Sequence, residues 1–215
     1  MGYEVKVADI RDVRKATNKQ IEAWLGKLQL IGVACNAMAE SSGMQGATAE
    51  SIKTYVKEVH LSLLGGVAQM IEEYKDRLYV YEVGYESIDG DVKAHFSQDT
   101  LEDQNSTIAR EEEEFLDLVD ELEDALDTIT DILSLSTPSM GRITHSFGSL
   151  KRKTKVLNDK VGTYEEGHRN DCSGVTEQIS SIRAMIVSLN KSSEITISTY
   201  RAGAILENPA FLTLK

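Results

Sequence analysis

The side chains able to do chemistry are four histidines, two cysteines and a dense block of carboxylates. Cys172 follows His168 by four positions, which on a helix sets both on one face as a possible metal pair. A metal site needs three or four ligands, and no other cysteine or histidine lies near them in the sequence. Glu111 to Glu114 resemble a metal-binding or acid–base carboxylate group. Carboxylate metal sites in helical bundles pair glutamate with histidine, as in Glu-x-x-His, and that motif is absent. The run reads as a solvated face. There is no Gly-x-Ser-x-Gly, no P-loop and no nucleophile beside a base. His60, His95, His145 and His168 stand apart from one another. The expectation is a non-catalytic protein with no metal and no cofactor.

If no side-chain constellation carries function, the elements that hold the surface must. Apolar residues recur in steps of three and four along Ile10, Val13, Thr17, Ile21, Trp24, Leu28, Ile31, Cys35 and Met38, one face of a helix of about 30 residues, or about 45 Å. Cys35 reads as a small buried hydrophobe. A second stripe runs Ile52, Val56, Val59, Leu63, Val67, Met70, Tyr74, Leu78 and Tyr81. Gly65-Gly66 interrupts its chemistry, and a bend or a close helix crossing is expected there. After a break at residues 86–91, a third stripe runs Phe115, Leu118, Leu122, Ala125, Ile129 and Ile132, and reaches back to Ile108 and Leu101. Its period of 3.5 favours coiled-coil packing. Ser134 to Gly141, with Pro138, closes that helix. The last stripe, Ile143 to Leu189, keeps phase throughout, with a bend expected near 165–174 where His168 and Asp171 fall in the seam.

This spacing predicts an all-α fold, elongated, of two antiparallel long helical hairpins (residues 8–86 and 98–200) with coiled-coil-like packing. The expected domains are a hairpin at 1–90, a second hairpin at 91–200 acting as stalk or spacer, and a tail or linker at 201–215. Only two prolines, Pro138 and Pro209, occur in 215 residues.

The net charge is −12, which excludes a nucleic-acid partner, since phosphate binding needs a dense basic face. Residues 98–135 hold fourteen acids against Arg110 alone, whereas residues 136–160 hold six bases against Asp159. Segments of opposite sign attract if they fold back on each other. The most apolar stretch, Leu28 to Ala39, is too short to span a bilayer. The N-terminus lacks the apolar run of a cleavable signal peptide.

The corner between the first two stripes is the most informative segment: Gly43-Met-Gln-Gly46-Ala-Thr-Ala-Glu-Ser-Ile-Lys53-Thr-Tyr55. Together with the start Val5-Lys-Val-Ala-Asp-Ile10 and the long first helix, it resembles the LXG domain of the WXG superfamily, found at the front of bacterial polymorphic toxins. In that family a leucine-any-glycine triplet forms the corner and a Lys-x-Tyr segment follows. Here Met44, Gln45 and Gly46 occupy the triplet, and Lys53 and Tyr55 the segment. Met44 departs from leucine by a volume-conserving change. The resemblance implies a non-enzymatic export domain. It would bind small helical proteins encoded nearby, engage the type VII secretion machinery, and precede a toxin domain used in interbacterial competition. It also implies a cytoplasmic protein that is then secreted without a cleavable signal peptide. Tyr85-Glu-Ser-Ile-Asp89 fits the Tyr-x-x-x-acid export pattern of such substrates, a signal that the partner protein can supply instead.

Further candidate partner contacts are Trp24, the sole tryptophan, and Tyr74 and Tyr81 of an aromatic helix end; hairpin core is the alternative for each. Two other functions compete. One is a membrane-active helical toxin component, disfavoured by the acidic third helix, so that no direct membrane insertion is expected. The other is a homodimeric coiled-coil scaffold.

Overall fold

The computed structural model describes residues 2–129, 139–191, 196–208 and 211. Ile132, Pro138 and Pro209 lie outside them. Strand β1 (Glu4–Lys6) precedes helix α1 (Val7–Ala39). After the corner come α2 (Ala47–Tyr55), a π turn (Val56–His60) and α3 (Leu61–Ile88). Strand β2 (His95–Ser97) then leads into α4 (Gln98–Asp127), and α5 (Gly141–His168), α6 (Ser173–Lys191) and a 3₁₀ turn (Ala204–Glu207) follow. The class is all-α. The short strands pair antiparallel, Val5 opposite Phe96, and were not foreseen. The chain divides into two compact units, residues 1–10 with 84–168, and residues 11–83 with 169–215.

In the first unit, Ser97 caps α4 by accepting a hydrogen bond from the Thr100 amide at 3.3 Å. Helices α4 and α5 form an antiparallel hairpin in which Phe115 meets Phe147 at 5.9 Å and Lys151 ion-pairs with Glu112. The acidic and basic segments therefore do fold onto each other. The inward line of α4 runs Leu101, Asn105, Ile108, Glu112, Phe115, Val119 and Leu126. This corrects the expected third stripe, because Leu118 is 62% exposed. A polar residue is tolerated in the seam where the other helix answers it, as Lys151 answers Glu112, so the phase is not set by apolar residues alone.

Beside the hairpin, Tyr85 is fully buried. It stacks on Phe96 at 5.9 Å, meets Tyr164 edge-on at 5.0 Å, and donates to the Glu165 carboxylate. Gly84 permits this arrangement: a Cβ there would overlap the Oη, Cζ and Cε2 atoms of Tyr164.

The second unit contains most of α1 and α3, with α2, α6 and the C-terminal segment. The stripe of α2 and α3 lies inward as expected, with Val56 and Val59 buried and the rest half-buried, while Ile71 beside it is buried too. A π turn interrupts this stretch at Val56–His60, and nothing outside its own helix approaches the Gly65 Cβ position within 4 Å. Helix α1 turns inward along Arg14, Asn18, Ile21, Leu25, Leu28, Gly32, Cys35 and Ala39. Cys35 is half-buried rather than buried, and Val13, Trp24, Ile31 and Met38 of the expected stripe are exposed. Two of the α6 stripe residues, Ile179 and Ile186, are exposed as well, and Met185 is buried in their stead. The long last helix is interrupted at residues 169–172, within the bend that was expected.

The segment after Tyr200, read from sequence as a tail or linker, is tied down. Tyr200, Ile205 and Phe211 pack with Val59 and Met185 in one buried cluster.

Candidate functional site

The corner is built from backbone requirements. Gly46 precedes α2 with φ 98° and ψ 168°, a conformation open essentially to glycine. Its carbonyl accepts from the Glu50 amide at 3.0 Å, starting the helix. Gln45 donates to the Ser42 carbonyl at 3.3 Å, and the Ser41 hydroxyl accepts from the Gly43 amide at 3.3 Å. Met44 is half-buried while Gln45 and Gly46 are exposed. Lys53 pairs with Glu50 at 2.9 Å.

Two residues past Lys53, Tyr55 meets His60 and Tyr200 edge-on, at 5.2 and 5.3 Å. Burial raises the Tyr55 phenol above its ordinary pKa. Tyr200 donates to Glu58 Oε2 at 2.6 Å and accepts from the Ile205 amide at 3.1 Å, while the Gly203 amide also donates to Glu58, at 2.8 Å. Burial, then the bond to Glu58, pushes the Tyr200 phenol far above its ordinary range. Tyr55 therefore serves the packing that anchors the C-terminal segment.

The remaining predicted residues lie on different elements. Trp24 is 47% exposed on α1, Tyr74 and Tyr81 are half-buried on α3, and Asp89 is exposed. Asp89 accepts from the Asp91 amide at 2.9 Å in the turn after α3. Tyr85 and Asp89 belong to the first unit, whereas the corner, Lys53, Tyr55, Trp24, Tyr74 and Tyr81 belong to the second.

Among the apolar residues the second unit leaves bare is a line along α1: Trp24, Ile31 and Met38, seven residues apart and 47, 50 and 48% exposed. Heptad spacing keeps the three on one side of the helix. No group of three or more metal-binding side chains occurs among the described residues.

Sequence reading missed the charged anchor of this helix. Glu82, 4% exposed, takes hydrogen bonds from Arg11 Nε at 3.2 Å and from Arg14 Nε. Arg14 also lies over the Tyr79 ring, 5.6 Å from its centre. Burial alone would raise the Glu82 pKa, but the bonds and charges of Arg14 and Arg11 outweigh it and hold the carboxyl below its usual range. The signal was available: Glu82 falls four residues past Leu78 on the inward face, and Arg14 four past Ile10.

Fold and surface together define an all-α, helical-hairpin module with an unpartnered apolar line on its longest helix. A family model, the LXG domain of the WXG superfamily, matches residues 5–196, and the chain belongs to that family. No curated protein matches the chain. The match extends well past the corner, through α4, α5 and α6.

Proposed function

We propose that this chain is a non-catalytic secretion-targeting domain of an LXG-type toxin. In this reading it carries its toxin to the type VII machinery by binding small helical proteins encoded beside its gene. Family membership supports a secretion-related N-terminal toxin domain. The observation that carries the finer reading is the exposed Trp24–Ile31–Met38 line, since exposed apolar lines of this kind mark helix-docking surfaces and tryptophan is enriched among binding hot spots. A partner helix laid along α1 would extend the bundle without disturbing its core. The full burial of Tyr85 favours an export signal supplied by the bound partner over one read from the Tyr85 side chain.

The test is co-expression of the chain with its small helical neighbours, with complex mass read by light scattering. A stable hetero-complex is expected, weakened at least about tenfold by Trp24→Ala with unchanged helicity. A lone chain indifferent to its neighbours, or a complex unaffected by Trp24→Ala and by Ile31→Asp, would remove α1 as the docking surface. Leakage from anionic vesicles would instead favour the membrane-active alternative, although none of the described helices is long and apolar enough to cross a membrane.

A further inference from the structure

The α4–α5 hairpin carries a second bare surface, independent of α1. The residues immediately preceding inward Glu112, Val119 and Leu126 on α4 are Glu111, Leu118 and Ala125. Those preceding inward Thr144, Lys151 and Asn158 on α5 are Ile143, Leu150 and Leu157. Both helices are right-handed and they run antiparallel, so a step back from the inward line rotates both sets to the same side of the hairpin. That side is apolar toward the end where α4 stops and α5 begins: Leu118, Ile143 and Leu150 are 62, 43 and 49% exposed.

Its flanks differ in sign. On the α4 edge, three and four residues around Leu118, stand Glu114 and Glu121; on the α5 edge, three past Leu150, stands Lys153. Arg110, the one base of α4, touches Glu111 and Glu114 at 3.3 and 3.7 Å and leaves that edge net acidic. A complement to this surface must set a basic helix against α4 and an acidic one against α5, side by side. The same surface turned about a two-fold axis parallel to the hairpin does so.

We propose that two copies of the chain associate through this side of the hairpin as a four-helix bundle. Each α4 lies antiparallel to α5 of the other copy, in the register the hairpin itself uses. In that register, where Phe115 meets Phe147 and Glu112 meets Lys151, Leu118 meets the partner's Ile143. Glu111 and Glu114 then approach the partner's Lys153. The contact is isologous and closes at two copies. Three large side chains per copy cover less than the ~800 Å² per partner of a standard interface, so the dimer is weak and concentration-dependent.

The experiment is a concentration series of the full chain by light scattering, at low and high salt, with helicity checked for every variant. Mass is expected to climb toward two copies with concentration and to fall back as salt screens the flanking charges. Leu118→Asp, Glu114→Lys and Lys153→Glu should each stay at one copy. An equimolar mixture of the two charge-reversed chains should recover two. A single-copy mass at every concentration overturns the proposal. So does a dimer indifferent to Leu118→Asp, a mixture that fails to recover association, or a dimer abolished by Trp24→Asp, which would move the contact to α1.

Discussion

Gly65 and Gly84 sit in the same helix and invite the same substitution with opposite results. Alanine in a helix interior is favoured over glycine by about 0.8–1.0 kcal/mol. At Gly65 no atom beyond its own helix turn lies within 4 Å of the new Cβ, so Gly65→Ala should express that gain in full. At Gly84 the methyl group would overlap the hydroxyl end of the Tyr164 ring. Overpacking of this kind costs about 1–3 kcal/mol, and moving Tyr164 also surrenders its edge contact with Tyr85, worth about 0.5–1.5 kcal/mol. The two variants should therefore differ by roughly 2–4 kcal/mol, with Gly84→Ala the less stable. For a chain of this size about 1 kcal/mol moves Tm by roughly 2–4 °C. Thermal unfolding followed by far-ultraviolet circular dichroism should show Tm rising for Gly65→Ala and falling for Gly84→Ala. The double-mutant cycle fixes the cause: in a Tyr164→Ala background the Gly84 penalty should disappear and the helix-propensity gain emerge. If Gly84→Ala raises Tm as Gly65→Ala does, or if its penalty survives without the Tyr164 ring, the close approach is not what glycine serves there.

The buried ion cluster gives an acid-limb prediction. Because the Glu82 carboxyl is held below its ordinary range, its stabilisation is present above the unfolded pKa and is lost as pH falls through the folded value. Glu82→Gln should cost about 3 kcal/mol near neutral pH by removing the buried carboxylate that Arg11 and Arg14 share, and urea titrations of variant and native chain should converge in acid; a pH-independent gap would contradict this. Gly46→Ala should destabilise by about 1–3 kcal/mol, since φ 98° with ψ 168° strains any side chain. Gly43→Ala, which meets only Ser41 Oγ at 3.6 Å, should be nearly neutral in the same denaturant series. In a secretion assay Asp89→Asn should leave export unchanged if the bound partner supplies the signal; blocked export with intact partner binding would return the signal to the Tyr85–Asp89 segment.

The all-α class and the stripe of α2 and α3 were legible because apolar residues alone set the phase there. The α1, α4 and α6 stripes were legible as helices but only partly inward: Ile21, Phe115, Val175 and Ile182 turn in, while Trp24, Leu118 and Ile179 do not. Val13, Trp24, Ile31 and Met38 share the spacing of the inward residues and lie beside them, so apolar periodicity could not separate a core line from a bare one. Inward Glu82, Glu112 and Asn105 are polar, and a search for apolar stripes passes over them. The β1–β2 pairing joins segments about ninety positions apart (Val5 with Phe96), beyond the reach of local pattern. Tyr55 packs against Tyr200, a contact hidden from local pattern because the neighbours of Tyr200 read in sequence as a tail.

That anchoring has a consequence in time. Glu58 waits for Tyr200, 142 residues later in the chain, and Val59 waits equally for Met185, Ile205 and Phe211. At translation rates of roughly 5–20 residues per second, the surface around the π turn stays uncovered on the ribosome for about 7–30 s after it is made. Late in that interval, once residue 168 has been made, α4 and α5 can zip together. In that last stretch a nascent chain presents a finished hairpin and an uncovered apolar surface at once. Until Tyr200, Ile205 and Phe211 arrive, Val59 has no C-terminal cover, and the core of the second unit closes last.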